Sequence, residues 1–210
     1  MTESADISRC IALIDSGVRL DHPHIRPLPG ASLRVLLGPV IGAPDSPQCD
    51  QLGHGTAVAA AILDLAPAAR ILSIQLFRDR PTSAFPHVLE ALHAALAADV
   101  SLINLSLGTT DPSHADALSE IVSQCVARSI RLIAPADSGG LASYPGVLPG
   151  VDGVYADPSL DRAAPIRRPH QGRPFWFASP FPRSLPGLDR SRNLSGVSFA
   201  VANVTAFLAQ

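Results

Sequence analysis

Short continuous apolar runs alternate along this chain with longer segments of helical periodicity, and that alternation limits what it can fold into. Residues 10–14, Cys-Ile-Ala-Leu-Ile, run without a polar interruption and end at Asp15. A strand written this way carries apolar side chains on both faces, as strands in the middle of a covered sheet do. An Ala-rich helix is expected over residues 54–65, a strand over 70–76, a helix over 84–98 and a strand over 100–106. A helix follows over 113–128, with Asp111 or Ser113 as its cap, then a strand at 130–134, another within 150–156 and a closing helix over 198–208. Parallel strands need crossovers of a dozen or more residues, and the helical segments supply them. The expected fold class is therefore α/β, a three-layer arrangement of a mostly parallel β-sheet flanked by helices. Residues 157–192 break the rhythm: they are rich in Pro and Arg and carry the aromatic triplet Phe175-Trp176-Phe177. They read as long loops wrapped on the same domain, with the triplet in the core, because the closing helix beyond them needs that core. No internal repeat or linker divides the chain, and residues 1–210 read as one domain.

Composition removes several classes of function. A net charge of −2, with all 16 basic residues being Arg, gives no footprint for nucleic acid. No apolar run approaches the roughly 20 residues of a membrane span, so no membrane insertion is expected. The opening Met-Thr-Glu-Ser-Ala-Asp has neither the basic nor the apolar region of a signal peptide. Cys10, Cys49 and Cys125 are odd in number and widely spaced, which suits a reducing, cytoplasmic setting better than a disulfide framework. Glycine patterns that cradle nucleotides are missing. His22-Pro23-His24 lacks further ligands at metal spacing, so neither cofactor nor metal is expected.

Ligands of open parallel sheets bind beyond the carboxyl ends of the strands, so reactive residues are sought there and at helix starts. Asp15 ends the first strand, His54 opens the second element within Gly53-His54-Gly55-Thr56, and Ser198 heads the last helix within Gly196-Val197-Ser198-Phe199. An acid, an imidazole and a hydroxyl are the parts of a nucleophilic triad. Serine is a weak nucleophile alone; a histidine takes its proton, and a carboxylate orients the imidazole and stabilises its cation. Each residue also has a plainer reading, as a turn aspartate, a loop histidine and a helix N-cap. Their joint local sequences give them weight.

Those sequences resemble the subtilisin family of serine peptidases, the subtilases, in the family's order of Asp, His and Ser. The first block is residues 11–25, Ile-Ala-Leu-Ile-Asp-Ser-Gly-Val-Arg-Leu-Asp-His-Pro-His-Ile; the second is Gly53-His54-Gly55-Thr56-Ala57-Val58-Ala59; the third is Ser195-Gly196-Val197-Ser198-Phe199-Ala200. Residues 65–67, Leu-Ala-Pro, match the stretch after the histidine helix. Residues 103–108, Ile-Asn-Leu-Ser-Leu-Gly, are similar to the strand that binds substrate backbone. The resemblance implies a subtilisin-like fold, a triad of Asp15, His54 and Ser198, and a substrate-binding edge at Ser106, Leu107 and Gly108. It also implies an oxyanion hole made by Ser198 and the residue at Asp137. There the sequence departs from the family, which has an amide where Ala134-Pro135-Ala136-Asp137 places a carboxyl. A carboxylate donates no hydrogen bond, whereas the protonated acid does. The third block also carries Phe199 where the family usually has Met.

The chain is short for the family, with 14 residues ahead of Asp15 and 12 after Ser198, so no prodomain is expected. In this it resembles small stand-alone subtilases of peptide-maturation gene clusters. One of these removes the leader of the quinohemoprotein amine dehydrogenase small subunit. The implied activity is endopeptidase cleavage of a specific peptide or protein precursor, as in leader removal, with other maturation enzymes as further partners. Two other readings stay open: a pseudopeptidase that binds a peptide or a maturation partner in the same cleft, which Asp137 favours, and an esterase on the same triad.

Overall fold

The computed structural model describes residues 10–43 and 45–210; the opening tract read for a signal lies outside them. Its strands are β1 (Cys10–Asp15), β2 (Val35–Val40), β3 (Arg70–Gln75), β4 (Leu102–Leu105), β5 (Arg131–Pro135), β6 (Asp137–Ser138), β7 (Leu141–Ala142), β8 (Asp152–Ala156), β9 (Ile166–His170) and β10 (Arg173–Ala178). The α-helices are α1 (Ala31–Arg34), α2 (His54–Leu65), α3 (Phe85–Ala97), α4 (Ala115–Ala127) and α5 (Val197–Leu208). Eight strands form one sheet in the order β2-β3-β1-β4-β5-β8-β10-β9. All neighbours are parallel except β9 and β10.

The continuous apolar runs work as expected. In β1, Ile11 and Leu13 join the core under α2 and α5, whereas Ala12 and Ile14 join the core under α3 and α4. Alternate residues of a strand point to opposite faces, so one five-residue run feeds two cores and fixes a helix layer on each side. The expected three-layer, mostly parallel architecture is the observed one. No helix among the described residues is long and apolar enough to cross a membrane.

Two segments differ from expectation. Residues 157–192 are more than loops, because β9 and β10 pair there as an antiparallel hairpin at the sheet edge, with Trp176 opposite Arg167 and Phe177 opposite Ile166. The Arg side chains of this hairpin are structural. Arg168 lies 3.8 Å over Phe177, Arg173 lies 4.2 Å over Phe175, and Arg168 also pairs with Asp157. Second, Asp111 caps a short 3-10 turn at Pro112–His114 by accepting from the Ser113 N–H, and α4 begins only after that turn.

Topology places the functional cleft. After β1 the chain moves toward the β2 edge, and after β4 it moves toward β5 and the other edge. Connections leaving adjacent strands in opposite directions open a crevice at the carboxyl ends of those strands. Here that crevice lies between the end of β1, which is Asp15, and the end of β4, which leads into Ser106, Leu107 and Gly108.

Candidate active site

Asp15 is buried at the end of β1, and its Oδ1 stands 2.8 Å from His54 Nδ1. The same oxygen accepts the Ser16 backbone N–H at 2.8 Å. His54 is the first residue of α2. A tight approach brings the two elements together: a Cβ at Gly55 would lie 2.3 Å from the Gly17 carbonyl oxygen and 3.2 Å from Asp15 Cβ. Only glycine lets the first turn of α2 come this close to the end of β1. The bare backbone donors of that turn find acceptors in the loops. Ser16 Oγ takes the Gly55 N–H, and the Asp50 carboxylate takes the Gly53 and Thr56 N–H groups.

A proton on His54 Nδ1 donating to Asp15 leaves Nε2 as the lone pair that can accept another. Burial works against the imidazolium, but the Asp15 hydrogen bond and the charges of Asp15 and Asp50 outweigh it, so the His54 pKa is raised above 6.5. A folded-state pKa above the unfolded one adds stability that is fully present below the unfolded value and lost as pH rises through the folded value. The melting-temperature gap between wild type and His54→Ala should therefore narrow as pH rises above about 6.5, the ordinary value of the free imidazole. Melts at fixed ionic strength read this directly, and a gap that widens with pH would show that the site favours the neutral ring.

Ser198 lies in the first turn of α5. Its hydroxyl donates to the Ser106 carbonyl at 3.0 Å. Phe199, next in the chain and fully buried, sets its ring 5.5 Å from that of His54, which gives the departure from the family's Met a packing role. The strand end that carries Ser106 is fixed from below. Asn104 Nδ2 donates to Ser106 Oγ at 2.8 Å, and the Thr205 hydroxyl of α5 stands 2.9 Å from Asn104 Oδ1.

His54, Ser106, Leu107, Gly108, Asp137 and Ser198 line one cleft of about 280 Å³, with Asp15 behind His54. Thr109 pairs with Tyr144 in both directions, at 2.9 and 2.8 Å. Among the described residues no backbone group bonds the N–H or carbonyl of Leu107 or Gly108. Beyond Leu107 and Gly108 the cleft adjoins an apolar hollow of about 270 Å³ lined by Phe77, Phe85, Val88, Leu105 and Leu118. Asp137 starts a two-strand hairpin with β7, and its carboxylate accepts the Gly140 N–H at 3.2 Å. Cys49 is exposed and does not line the cleft; its backbone pairs with the Gln75 side chain.

Sequence reasoning missed Ser16 and Asp50. The available signal was an acid four residues before the histidine, at the start of a helix whose first N–H groups need acceptors.

Comparison with known proteins finds relatives in sequence and in fold. The model of the subtilase family matches residues 8–139, more than half of the chain. Subtilisin E of Bacillus subtilis (strain 168) is 25% identical over 206 residues, a match covering 93% of this chain and 51% of the relative. The chain spans about half the length of curated relatives it matches, subtilisin E among them. The solved prenylagaramide maturation protease PagA shares the fold with a TM-score of 0.69 at 24% identity, over 96% of this chain and 74% of the other. A cold-adapted subtilisin-like serine proteinase does so with a TM-score of 0.71 at 18% identity, over 95% of this chain and 73% of the other.

Proposed function

The chain belongs to the subtilase family, and from that premise we propose that it is a serine endopeptidase working through Asp15, His54 and Ser198. The observation that carries this reading is the 2.8 Å contact of His54 Nδ1 with a buried Asp15, with Ser198 on the same cleft. In the reaction, Ser198 Oγ attacks the scissile carbonyl carbon as its proton passes to His54 Nε2. The Asp15 carboxylate stabilises the imidazolium so formed. His54 then returns the proton to the leaving amine as the C–N bond breaks, and a water, activated by the same imidazole, releases the acyl group from Ser198. The backbone donors of Leu107 and Gly108 suit an extended peptide laid along that edge, because strand addition uses main-chain bonds first.

The substrate class proposed is a peptide or protein precursor, processed at a specific site. The shared fold with a protease named for prenylagaramide maturation supports it. We place the protein in the cytoplasm, in keeping with three free cysteines, and take residues 1–210 as one domain. The test is mass spectrometry of candidate precursor peptides incubated with wild type and with Ser198→Ala. New termini that appear only with wild type support the reading, and intact precursors in both would sink it.

A pseudopeptidase is the second reading, and Asp137 is what favours it. A developing oxyanion would meet the Ser198 N–H and the Asp137 carboxyl; the neutral acid donates to it and the carboxylate repels it. Asp137→Asn supplies a donor of nearly the same shape at every pH. It should raise kcat/KM by up to about 10²-fold, the worth of one such donor. The measurement is kcat/KM against pH for both proteins, and superimposed profiles would remove Asp137 from the oxyanion site.

A further inference from the structure

We infer that Asp50 is a positioning residue for His54: a second buried carboxylate that ties the first turn of α2 to the end of β1 and so keeps the imidazole seated on Asp15. The inference rests on the peptidase reading for its kinetic part only. Asp50 is 3% exposed, and no ion pair among the described residues involves it. A buried, unpaired carboxylate is costly unless hydrogen bonds satisfy it. All of its partners donate. Oδ1 takes the Ser16 hydroxyl and the Gly53 N–H, each at 2.8 Å. Oδ2 takes the Thr56 N–H at 2.9 Å and the Thr56 hydroxyl in a short bond. The positive end of α2 adds favourable field.

These bonds form a path to the chemistry. Ser16 receives the Gly55 N–H on its hydroxyl oxygen and gives its own proton to Asp50. The Ser16 backbone N–H goes to Asp15 Oδ1, the oxygen that also meets His54 Nδ1. Asp50, Ser16, Asp15 and His54 are therefore joined by successive hydrogen bonds across the junction of β1 and α2, two elements that also share a core. The charged groups around the imidazole are Asp15 from β1, Asp50 from the loop before α2 and Asp137 from β6 on the cleft wall; its α5 neighbours Ser198 and Phe199 carry no charge.

Asn at position 50 would remove the charge and turn an amide NH₂ toward donors on one side, whichever way it is placed. In Asp50→Asn the His54 titration, followed by NMR of the imidazole protons, should move to lower pH. The value of kcat should fall about tenfold to a hundredfold, the scale of a slightly misplaced catalytic group, while KM changes little. Thr56→Val keeps the carboxylate and removes one of its donors, together with the acceptor of the Arg19 N–H, so it should lower kcat with a smaller displacement of the His54 titration. It also serves if Asp50→Asn fails to fold. If the folded variants superimpose on wild type in the His54 titration and in kcat, Asp50 is only a loop anchor and the inference falls. The titration needs no turnover. A wild type that cleaves nothing would overturn the peptidase reading, and the titration would still decide the role of Asp50.

Discussion

Ser198→Ala should fold like the wild type and hydrolyse its peptide about 10⁴- to 10⁶-fold more slowly, the scale for deleting a nucleophile that works as a unit with its base. Retention of the fold follows from what Ser198 holds. Its hydroxyl makes one hydrogen bond, to the Ser106 carbonyl. The packing of α5 rests instead on Phe199, Val201, Ala202 and Val204, all in the core shared with α2. A single neutral hydrogen bond contributes about 1 kcal/mol, too little to unfold a domain. The loss of rate follows because no other hydroxyl or thiol that lines the cleft heads a helix beside His54. Ser106, Ser138 and Ser143 come from the walls, and Cys49 is outside. Residual turnover would come from substrate alignment and the oxyanion site. Steady-state kinetics on one defined peptide, with circular dichroism as the control, reads both parts. Turnover within tenfold of wild type would mean that another group attacks the carbonyl.

Much of this arrangement is legible in the residues alone, for physical reasons. A strand covered on both faces must be apolar at successive positions, so β1, β3, β4 and β5 announce themselves, and helices between them follow from the crossovers. The edge strands do not. In β2 the run Val-Leu-Leu-Gly-Pro-Val is broken by Gly38 and Pro39, which a central strand would not tolerate but an edge strand does. In β9 the sequence Ile-Arg-Arg-Pro-His has one apolar residue, and its strand character comes from pairing with β10. Such pairing is a tertiary fact with no periodicity to reveal it.

The site divides in the same way. Asp15, His54 and Ser198 stand where a strand ends or a helix begins, and each lies in a distinctive local sequence. Asp50 and Ser16 owe their roles to distance, because they matter only once α2 docks on the end of β1. The position of the Ser198 proton was equally hidden, since its acceptor is a carbonyl 92 residues away in the chain. Sequence reading finds groups that are chemically unusual where they stand. It misses ordinary polar residues recruited by packing.

Asp15→Asn is the second substitution with a large expected effect, and the structure fixes how it acts. Asp15 Oδ1 accepts from both the Ser16 N–H and His54 Nδ1, while the buried Oδ2 has no hydrogen-bond partner among the described residues. If the asparagine places its oxygen at the Oδ1 position, both bonds survive. The NH₂ is then buried without an acceptor, and the imidazolium loses its counter-charge in the transition state. If it places its nitrogen there, it faces the fixed Ser16 N–H and forces the proton of His54 from Nδ1 to Nε2, so that Nε2 can no longer take the proton of Ser198. Both placements slow the chemical step, and neither touches the edge at Ser106, Leu107 and Gly108 that would hold substrate. The expected result is a fall in kcat of about 10³- to 10⁴-fold with KM nearly unchanged. The pH profile carries a further signature. The Asp15 hydrogen bond and charge are the chief causes that raise His54 against the opposing effect of burial. Their loss should shift the acid limb of kcat/KM to lower pH, because the ring then becomes neutral earlier as pH rises. Measuring kcat/KM against pH for the two proteins tests both statements. A loss smaller than tenfold, or an acid limb displaced to higher pH, would show that Asp15 does not stabilise the imidazolium and that the contact at 2.8 Å serves only the fold.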